Sequence, residues 1–161
     1  MAAGATYEPI ASTTLGSATS NFEFTSISGS YTDLVIVISG SATPPQNITM
    51  RVGNGSVDTA SNYSYVYVLG NGTTASSSRG DNQTSATIGA IYTDKGNVII
   101  HLLNYSNTTT YKTFLSRQNS TGVQTGTFTG LWRSTAAINT IRFTNPLDAG
   151  TMLTLYGIAA A

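Results

Sequence analysis

Apolar residues recur along the chain with a period of two, which is the spacing of side chains on one face of a β-strand. In N-F-E-F-T, Phe22 and Phe24 fall on one side of the backbone and Glu23 on the other. The stretch N-I-T-M-R-V at 47–52 alternates in the same way. Since a convincing apolar repeat at 3.6-residue spacing is missing, we expect little helix.

Two runs are apolar on both faces, namely L-V-I-V-I at 34–38 and N-V-I-I-H-L-L-N-Y at 97–105. This pattern is typical of central strands that are covered on both sides. The later part of the chain offers further strand candidates at 111–117, 124–132, 138–143 and 151–158.

Turn signals separate these runs. The dipeptides Asn54-Gly55 and Asn71-Gly72 can adopt the positive φ angles of tight hairpin turns. The paired prolines of S-A-T-P-P-Q at 41–46 predict a loop, because proline has no N–H for a strand ladder. The longest predicted loop is the small and polar stretch 71–84, which is interpreted as either a mobile tip or a binding loop.

About ten short strands separated by turns predict an all-β fold, an antiparallel β-sandwich with a jelly-roll-like topology. The length of 161 residues suits one domain, and we assign residues 1–161 to it. The first six residues are candidates for a flexible arm. The start M-A-A-G-A-T-Y-E-P-I lacks the basic and apolar segments of a signal peptide.

Charge is unusually sparse, because Asp, Glu, Lys and Arg make up only 9% of the chain against about 25% in ordinary domains. The net charge is zero, so we expect no nucleic-acid partner. The longest apolar run is strand-sized, so we expect no membrane partner. Cysteine is absent, which removes disulfides and thiolate catalysis.

The sequence does not favour an enzyme. His101 is the only histidine, and its position in an apolar strand suits a structural residue better than a member of a catalytic triad. Glycoside hydrolysis needs two carboxylates in one cleft, and no pair of the seven available is selected by the sequence. Ligand clusters for zinc or calcium are missing, so we expect no metal and no other cofactor.

One strand and the loop after it supply a candidate interface. Tyr63, Tyr65 and Tyr67 would line one face of a strand, where aromatic rings could meet a sugar or a protein. Packing within the sheet or at a subunit interface is the alternative and the favoured interpretation. The polar loop adds Arg79 and Asp81 as candidate interface residues, within an Arg-Gly-Asp tripeptide that chance explains.

The stretch G-L-W-R-S-T-A-A-I-N-T-I-R-F at 130–143 holds the only tryptophan. Phe128 and Trp132 share one strand face with Gly130, which makes room for large rings or for a neighbouring backbone. S-T-A-A then forms a corner before a further strand with Ile141 and Phe143 on one side. We therefore assign Phe128, Trp132, Ile141 and Phe143 to the core, with Arg133 and Arg142 paired or extended at the surface.

Several segments, in this order, resemble tailed-phage virion structural proteins of phages of aquatic bacteria. They are Y-E-P-I-A-S-T-T-L at 7–15, Y-T-D-L-V-I-V at 31–37, N-Y-S-N-T-T-T-Y-K-T at 104–113, G-L-W-R-S-T-A-A-I-N-T-I at 130–141 and L-Y-G-I at 155–158. The resemblance implies a β-sandwich component of the virion, assembled as a homotrimer, with no catalytic residues.

We therefore expect a non-enzymatic structural protein located in the virion, most concretely a capsid decoration (cement) protein. Its expected partners are copies of itself and the major capsid protein or another virion protein. The alternative is a receptor-binding or lectin-like module of a phage tail fibre. That alternative rests on the tyrosine strand and the 71–84 loop.

Overall fold

The computed structural model describes residues 6–120 and 122–159 and contains two antiparallel β-sheets. The large sheet has the strand order β1 (Tyr7–Thr14), β13 (Met152–Ile158), β3 (Asp33–Gly40), β9 (Gly96–Leu103), β10 (Lys112–Ser120), β11 (Gln124–Trp132), β6 (Tyr63–Gly70) and β7 (Ala75–Gln83). The small sheet contains β2 (Phe22–Phe24), β12 (Thr140–Phe143), β4 (Gln46–Asn54), β5 (Ser56–Val57) and β8 (Ala86–Ile91). The predicted all-β antiparallel sandwich is confirmed, with thirteen strands among the described residues rather than about ten in the chain.

The core lies between the two sheets and follows the predicted alternation. Leu34, Ile36 and Ile38 of β3 point inward and are fully buried. In the small sheet, β4 contributes Ile48, Met50 and Val52 from its inner face, all fully buried. Each of these side chains gains roughly 1.5–3 kcal/mol from leaving water, so the alternating strands supply the main driving force for the fold.

The strands that are apolar on both faces are central in the large sheet, as expected, but another layer covers only one of their faces. Val35 points outward and is still buried, because strands lie on both sides of β3. Val37 and Ile99, also on the outer face, are half-buried. The expectation of cover on both sides is therefore only partly met.

Side chains of the large sheet hold one edge of the small sheet. β8 pairs with β4 alone, and it packs against the inner face of β9, β10 and β11. Ser116 Oγ donates to the Ile88 carbonyl at 2.5 Å, and the Gln118 side-chain carbonyl accepts the Ala90 N–H. These buried hydroxyl and amide groups satisfy backbone groups that would otherwise lack partners in the core.

The prediction of a long loop at 71–84 is wrong, because Ala75–Gln83 forms the edge strand β7. Only 71–74 forms the connecting turn, in which Asn71 Oδ1 accepts hydrogen bonds from the Thr73 and Thr74 N–H groups. Eight of the nine residues of β7 are exposed, so an apolar alternation that would have identified the strand is missing.

The corner predicted at S-T-A-A carries the chain from β11 in the large sheet to β12 in the small sheet. Gly130 lies on the inner face of β11, where a Cβ atom would approach the Phe114 ring of β10 to 1.9 Å. The glycine thus makes room for a ring of the neighbouring strand. Residues 1–5 of the predicted flexible arm lie outside the described residues.

Candidate functional site

The outer faces of the two sheets differ in chemistry. On the small sheet, Arg142 Nε and Glu23 Oε1 form an ion pair at 2.5 Å, and Arg51 lies opposite Arg142 on β4. Arg51 Nε donates to the Thr84 carbonyl at 2.9 Å. The charged groups of this face therefore have partners within the chain.

The outer face of the large sheet is built from cross-strand rows of apolar and hydroxyl side chains. One row runs across five strands through Val35, His101, Leu115, Thr129 and Val66. The next row runs through Val37, Ile99, Arg117, Thr127 and Val68. We call these two rows the outer patch.

Several large apolar side chains on this side of the molecule are well exposed. They are Val66 (53%), Val68 (58%), Leu103 (40%), Leu115 (41%) and Met152 (42%). Single exposed apolar residues are ordinary, but a group of them on one sheet face is typical of a surface that meets another molecule. The sequence-based candidates did not include these residues.

The outer patch is uneven but shallow. A depression of about 330 Å³ is lined by His101, Leu115, Arg117 and Thr127, and one of about 420 Å³ lies beyond Arg117. Arg117 separates the two and has its side chain exposed. The surface thus presents one cation among apolar and hydroxyl groups, which suits a broad protein surface better than a small ligand.

His101 occupies this outer patch as a half-buried residue. Its cross-strand neighbours are Val35 and Leu115, both apolar. A catalytic triad would place a carboxylate next to the imidazole, and neither cross-strand neighbour offers one.

The three candidate interface tyrosines lie on the inner face of β6, not on its outer face. Tyr63 is fully buried; its hydroxyl accepts the Val52 N–H at 3.0 Å, and its single proton is shared between the Val52 and Asp58 carbonyls, each also 3.0 Å away. Tyr65 and Tyr67 are half-buried and stack with ring centroids 6.3 Å apart. Tyr63 is thus a core residue and unavailable to a partner.

Arg79 and Asp81, the other two candidates, are exposed on edge strand β7. Their side chains lie 3.8 Å apart and have 77% and 61% of their surface exposed. They are one strand away from the outer patch, since Arg79 is opposite Val66.

All four residues assigned to the core, Phe128, Trp132, Ile141 and Phe143, are buried. Trp132 Nε1 donates to Asp58 Oδ2 at 2.8 Å. Burial raises the pKa of Asp58, but hydrogen bonds from Asn62, Trp132 and the Ala60 backbone outweigh it and hold that pKa below its usual value. Asp58 therefore links the tryptophan to the loop before β6.

Other carboxylates also hold loops. Burial raises the pKa of Asp148, but the hydrogen bonds that it accepts from Thr43 and Ser41 together outweigh burial and hold that pKa below its usual value. Asp33 Oδ1 accepts the Asn104 N–H at 2.6 Å. Within residues 6–120 and 122–159, no three His, Asp or Glu side chains lie close enough together to hold a metal ion.

Lys112 is a buried base on the inner side of β10. Its Nζ donates to the Thr110 carbonyl at 2.7 Å and the Thr135 carbonyl at 3.2 Å. Burial lowers the pKa of Lys112. These contacts tie β10 to the corner that leads into β12, so the lysine has a structural role.

Comparisons with known proteins give no match to a family model, to a curated protein or to a solved structure. Among the residues that the structure describes, there is no helix with the length and hydropathy needed to span a bilayer.

Proposed function

We propose that this protein is a non-enzymatic structural component of a phage particle, and more specifically a capsid decoration protein that stabilises the assembled shell. The resemblance to tailed-phage virion proteins motivates the class. The observation that carries the specific role is the outer patch, an exposed apolar sheet face on a chain with few charges.

The contrast between the two outer faces supports a single docking surface. On the small sheet, Glu23 neutralises Arg142, so that face is suited to water. On the large sheet, Leu115 and Val68 expose their side chains, and burying them against a partner would contribute about 25 cal/mol for each Å² of apolar surface removed from water. The partner is then the major capsid protein or another virion protein.

Stabilisation would follow from mass action. A protein that binds the assembled shell but not its separated subunits lowers the free energy of the shell by RT ln(1 + [L]/Kd) for each site, about 2.7 kcal/mol at a free concentration of 100 Kd. The resemblance implies a homotrimer, which would present three outer patches and raise the avidity for a repetitive shell.

The test is rebinding to particles from which the protein has been stripped. Wild-type protein is expected to sediment with the particles and to restore their resistance to heat and osmotic shock. Val68→Asp places a charge in the outer patch and should abolish both. The matched control is Asn47→Asp, the same charge change at an exposed position on the outer face of the small sheet, which should bind as wild type.

Stripped particles that resist heat and osmotic shock as well as complete ones would refute the stabilising role. Equal rebinding of Val68→Asp and wild type would refute the outer patch as the contact surface.

The alternative, a receptor-binding or lectin-like module of a tail fibre, is favoured by the stacked pair Tyr65 and Tyr67 beside the serine-rich strand β7. Stacked aromatic rings can receive a sugar face. This role predicts saturable binding on a glycan array or on host cells, lost in Tyr67→Ala and kept in Val68→Asp. The decoration role predicts no saturable host binding. It predicts instead that binding to stripped particles is lost in Val68→Asp and kept in Tyr67→Ala.

A further inference from the structure

We infer that the edge strand β7 is a self-association site, at which two copies of this chain pair antiparallel about Gly80. This contact does not involve the outer patch, which is the surface proposed to bind the phage particle. It also has two-fold symmetry, so in a trimeric assembly it would join neighbouring trimers.

The first argument comes from the way this fold treats its sheet edges. Unpaired N–H and C=O groups at an edge attract other strands, and proteins block them with short strands, prolines, charged side chains, bulges or covering groups. In the described part of the chain, β1 carries Pro9 and a bulge between Pro9 and Ala11. In the small sheet, β2 has three residues and β5 has two, and Ser116 and Gln118 cover β8.

Strand β7 has two of these protections, the charges of Arg79 and Asp81 and the register shift after Gly80, but it is neither short nor covered. It is nine residues long, contains no proline, and ends the large sheet with no described strand beside it. Its pairing with β6 is regular from Ala75 to Gly80, and the register shifts only beyond Gly80, where Asn82 has a φ of 54°. The segment Ala75–Gly80 is therefore a regular stretch of strand with an unpaired edge.

The second argument is charge complementarity. The strand reads A-S-S-S-R-G-D-N-Q, with opposite charges placed symmetrically on either side of Gly80. In an antiparallel pair with Gly80 opposite Gly80, Arg79 of each copy lies opposite Asp81 of the other. Both charged side chains are mostly exposed, and the ion pair that they form within one copy is long, at 3.8 Å, so it can exchange for two ion pairs across the contact.

The residue on the two-fold axis fits this arrangement. Gly80 has no side chain, because a Cβ atom there would approach the Tyr65 ring to 2.7 Å. The inner face of the edge is therefore flat at the point where the two copies would come closest. In this register Ser78 of one copy faces Asn82 of the other, so the next pair along the contact is polar on both sides.

In this register the regular half of each strand, Ala75–Gly80, faces the irregular half of the other, so pairing is limited to the residues next to Gly80. The contact is accordingly short, and we expect weak, concentration-dependent dimerisation in solution. A weak contact of this kind becomes effective where many copies are held side by side, because the effective concentration is then high.

Charge exchange tests the inference directly. Arg79→Asp gives the strand D-G-D and Asp81→Arg gives R-G-R, so each variant alone places like charges opposite each other. We expect each to weaken the dimerisation constant at least about tenfold, which corresponds to ~1.4 kcal/mol. An equimolar mixture of the two variants should recover the wild-type constant, because opposite charges then face each other again.

Analytical ultracentrifugation measures the dimerisation constants, and a dye on one variant distinguishes dimers of the two different variants from dimers of one variant. Two control variants accompany these measurements. The double variant Arg79→Asp/Asp81→Arg reverses the order of the charges and should dimerise as wild type. Lys95→Asp makes the same change of charge in the turn before β9, four strands from β7, and should have no effect. Circular dichroism verifies the fold of each variant.

The inference is overturned by any of three results. The wild-type chain stays monomeric at about 1 mM, the single variants associate as strongly as wild type, or the mixture fails to recover. If the protein forms a trimer whose association constant is unchanged in Arg79→Asp and in Asp81→Arg, that outcome is the second of these results and also overturns the inference. None of these outcomes depends on whether the protein binds a phage particle.

Discussion

Trp132 is the residue best suited to testing the core, because it is the only tryptophan and its fluorescence reports on one site. It stabilises the fold in two ways, by burial of its ring and by a hydrogen bond. Its side chain is 3% exposed and belongs to the core cluster between the sheets. Its indole N–H also donates to the Asp58 carboxylate at 2.8 Å. Trp132→Ala removes both contributions, whereas Trp132→Phe keeps most of the packing and removes the hydrogen bond.

The expected magnitudes follow from these two contributions. Deleting a buried aromatic side chain costs about 3–5 kcal/mol, so Trp132→Ala should lower the free energy of unfolding by that amount. A hydrogen bond to a charged group contributes about 1.5–3 kcal/mol, and Trp132→Phe should lose a value near this range. Asp58 keeps the hydrogen bonds from Asn62 and Ala60 in the variant, which moderates the loss.

The pH dependence separates the hydrogen bond from packing. The folded-state pKa of Asp58 lies below its ordinary value, so the stability that the carboxylate contributes is present above about pH 4 and is lost as the pH falls through the folded-state pKa. The destabilisation caused by Trp132→Phe should therefore be largest at neutral pH and shrink in acid. Phe128→Leu, a change at a buried ring, is the control and should destabilise equally at both pH values.

The assay is urea denaturation at pH 7 and at pH 3, followed by tryptophan fluorescence for the wild type and by circular dichroism for the variants. Native wild-type emission should be blue-shifted and protected from aqueous quenchers. Emission typical of a solvated indole, together with a Trp132→Ala variant of unchanged stability, would show that the stretch 130–143 is not a core element.

Two further predictions concern other core contacts. Gly130→Ala should lower the free energy of unfolding by roughly 1–3 kcal/mol, because its Cβ atom would overlap the Phe114 ring, and thermal denaturation measures this loss. The comparison is Gly72→Ala, at an open turn with φ of 89°, which introduces backbone strain without steric overlap. Tyr63→Phe should cost about 1–3 kcal/mol, because it leaves buried Val52 groups without their hydroxyl partner; a change below about 0.5 kcal/mol would refute this. Burial raises the pKa of Tyr63 to about 12, so in the wild type its contribution is intact below pH 10 and is lost as the pH rises towards 12, whereas Tyr63→Phe should lack this alkaline loss.

The sequence alone determined the class of fold, because burial of one face imposes a period of two on strand sequences. Phe22 and Phe24 predicted a strand and form β2, and the alternation at 47–52 predicted β4. The assignment of Phe128, Trp132, Ile141 and Phe143 to the core rested on the same reasoning, and all four are buried. The glycine at position 130 also signalled a close approach, although its partner proved to be Phe114.

Tertiary structure decided which face of a strand meets water. The run Y-S-Y-V-Y-V-L alternates tyrosine with serine and valine, and both sets are compatible with burial. The tyrosines point inward because Tyr63 finds partners for its hydroxyl at Val52 and Asp58, and Val66 and Val68 are left outside. The outer patch was therefore not predictable from the local sequence.

Strand β7 was also not predictable from its local sequence. Its polar sequence has no apolar alternation, because only Gly80 of its nine residues is buried, and the pattern that identifies strands comes from burial. The strand exists because β6 supplies a backbone ladder and because Gly80 admits the Tyr65 ring. Backbone pairing of this kind is not encoded in side-chain hydrophobicity, and only the folded neighbours of the segment determined it.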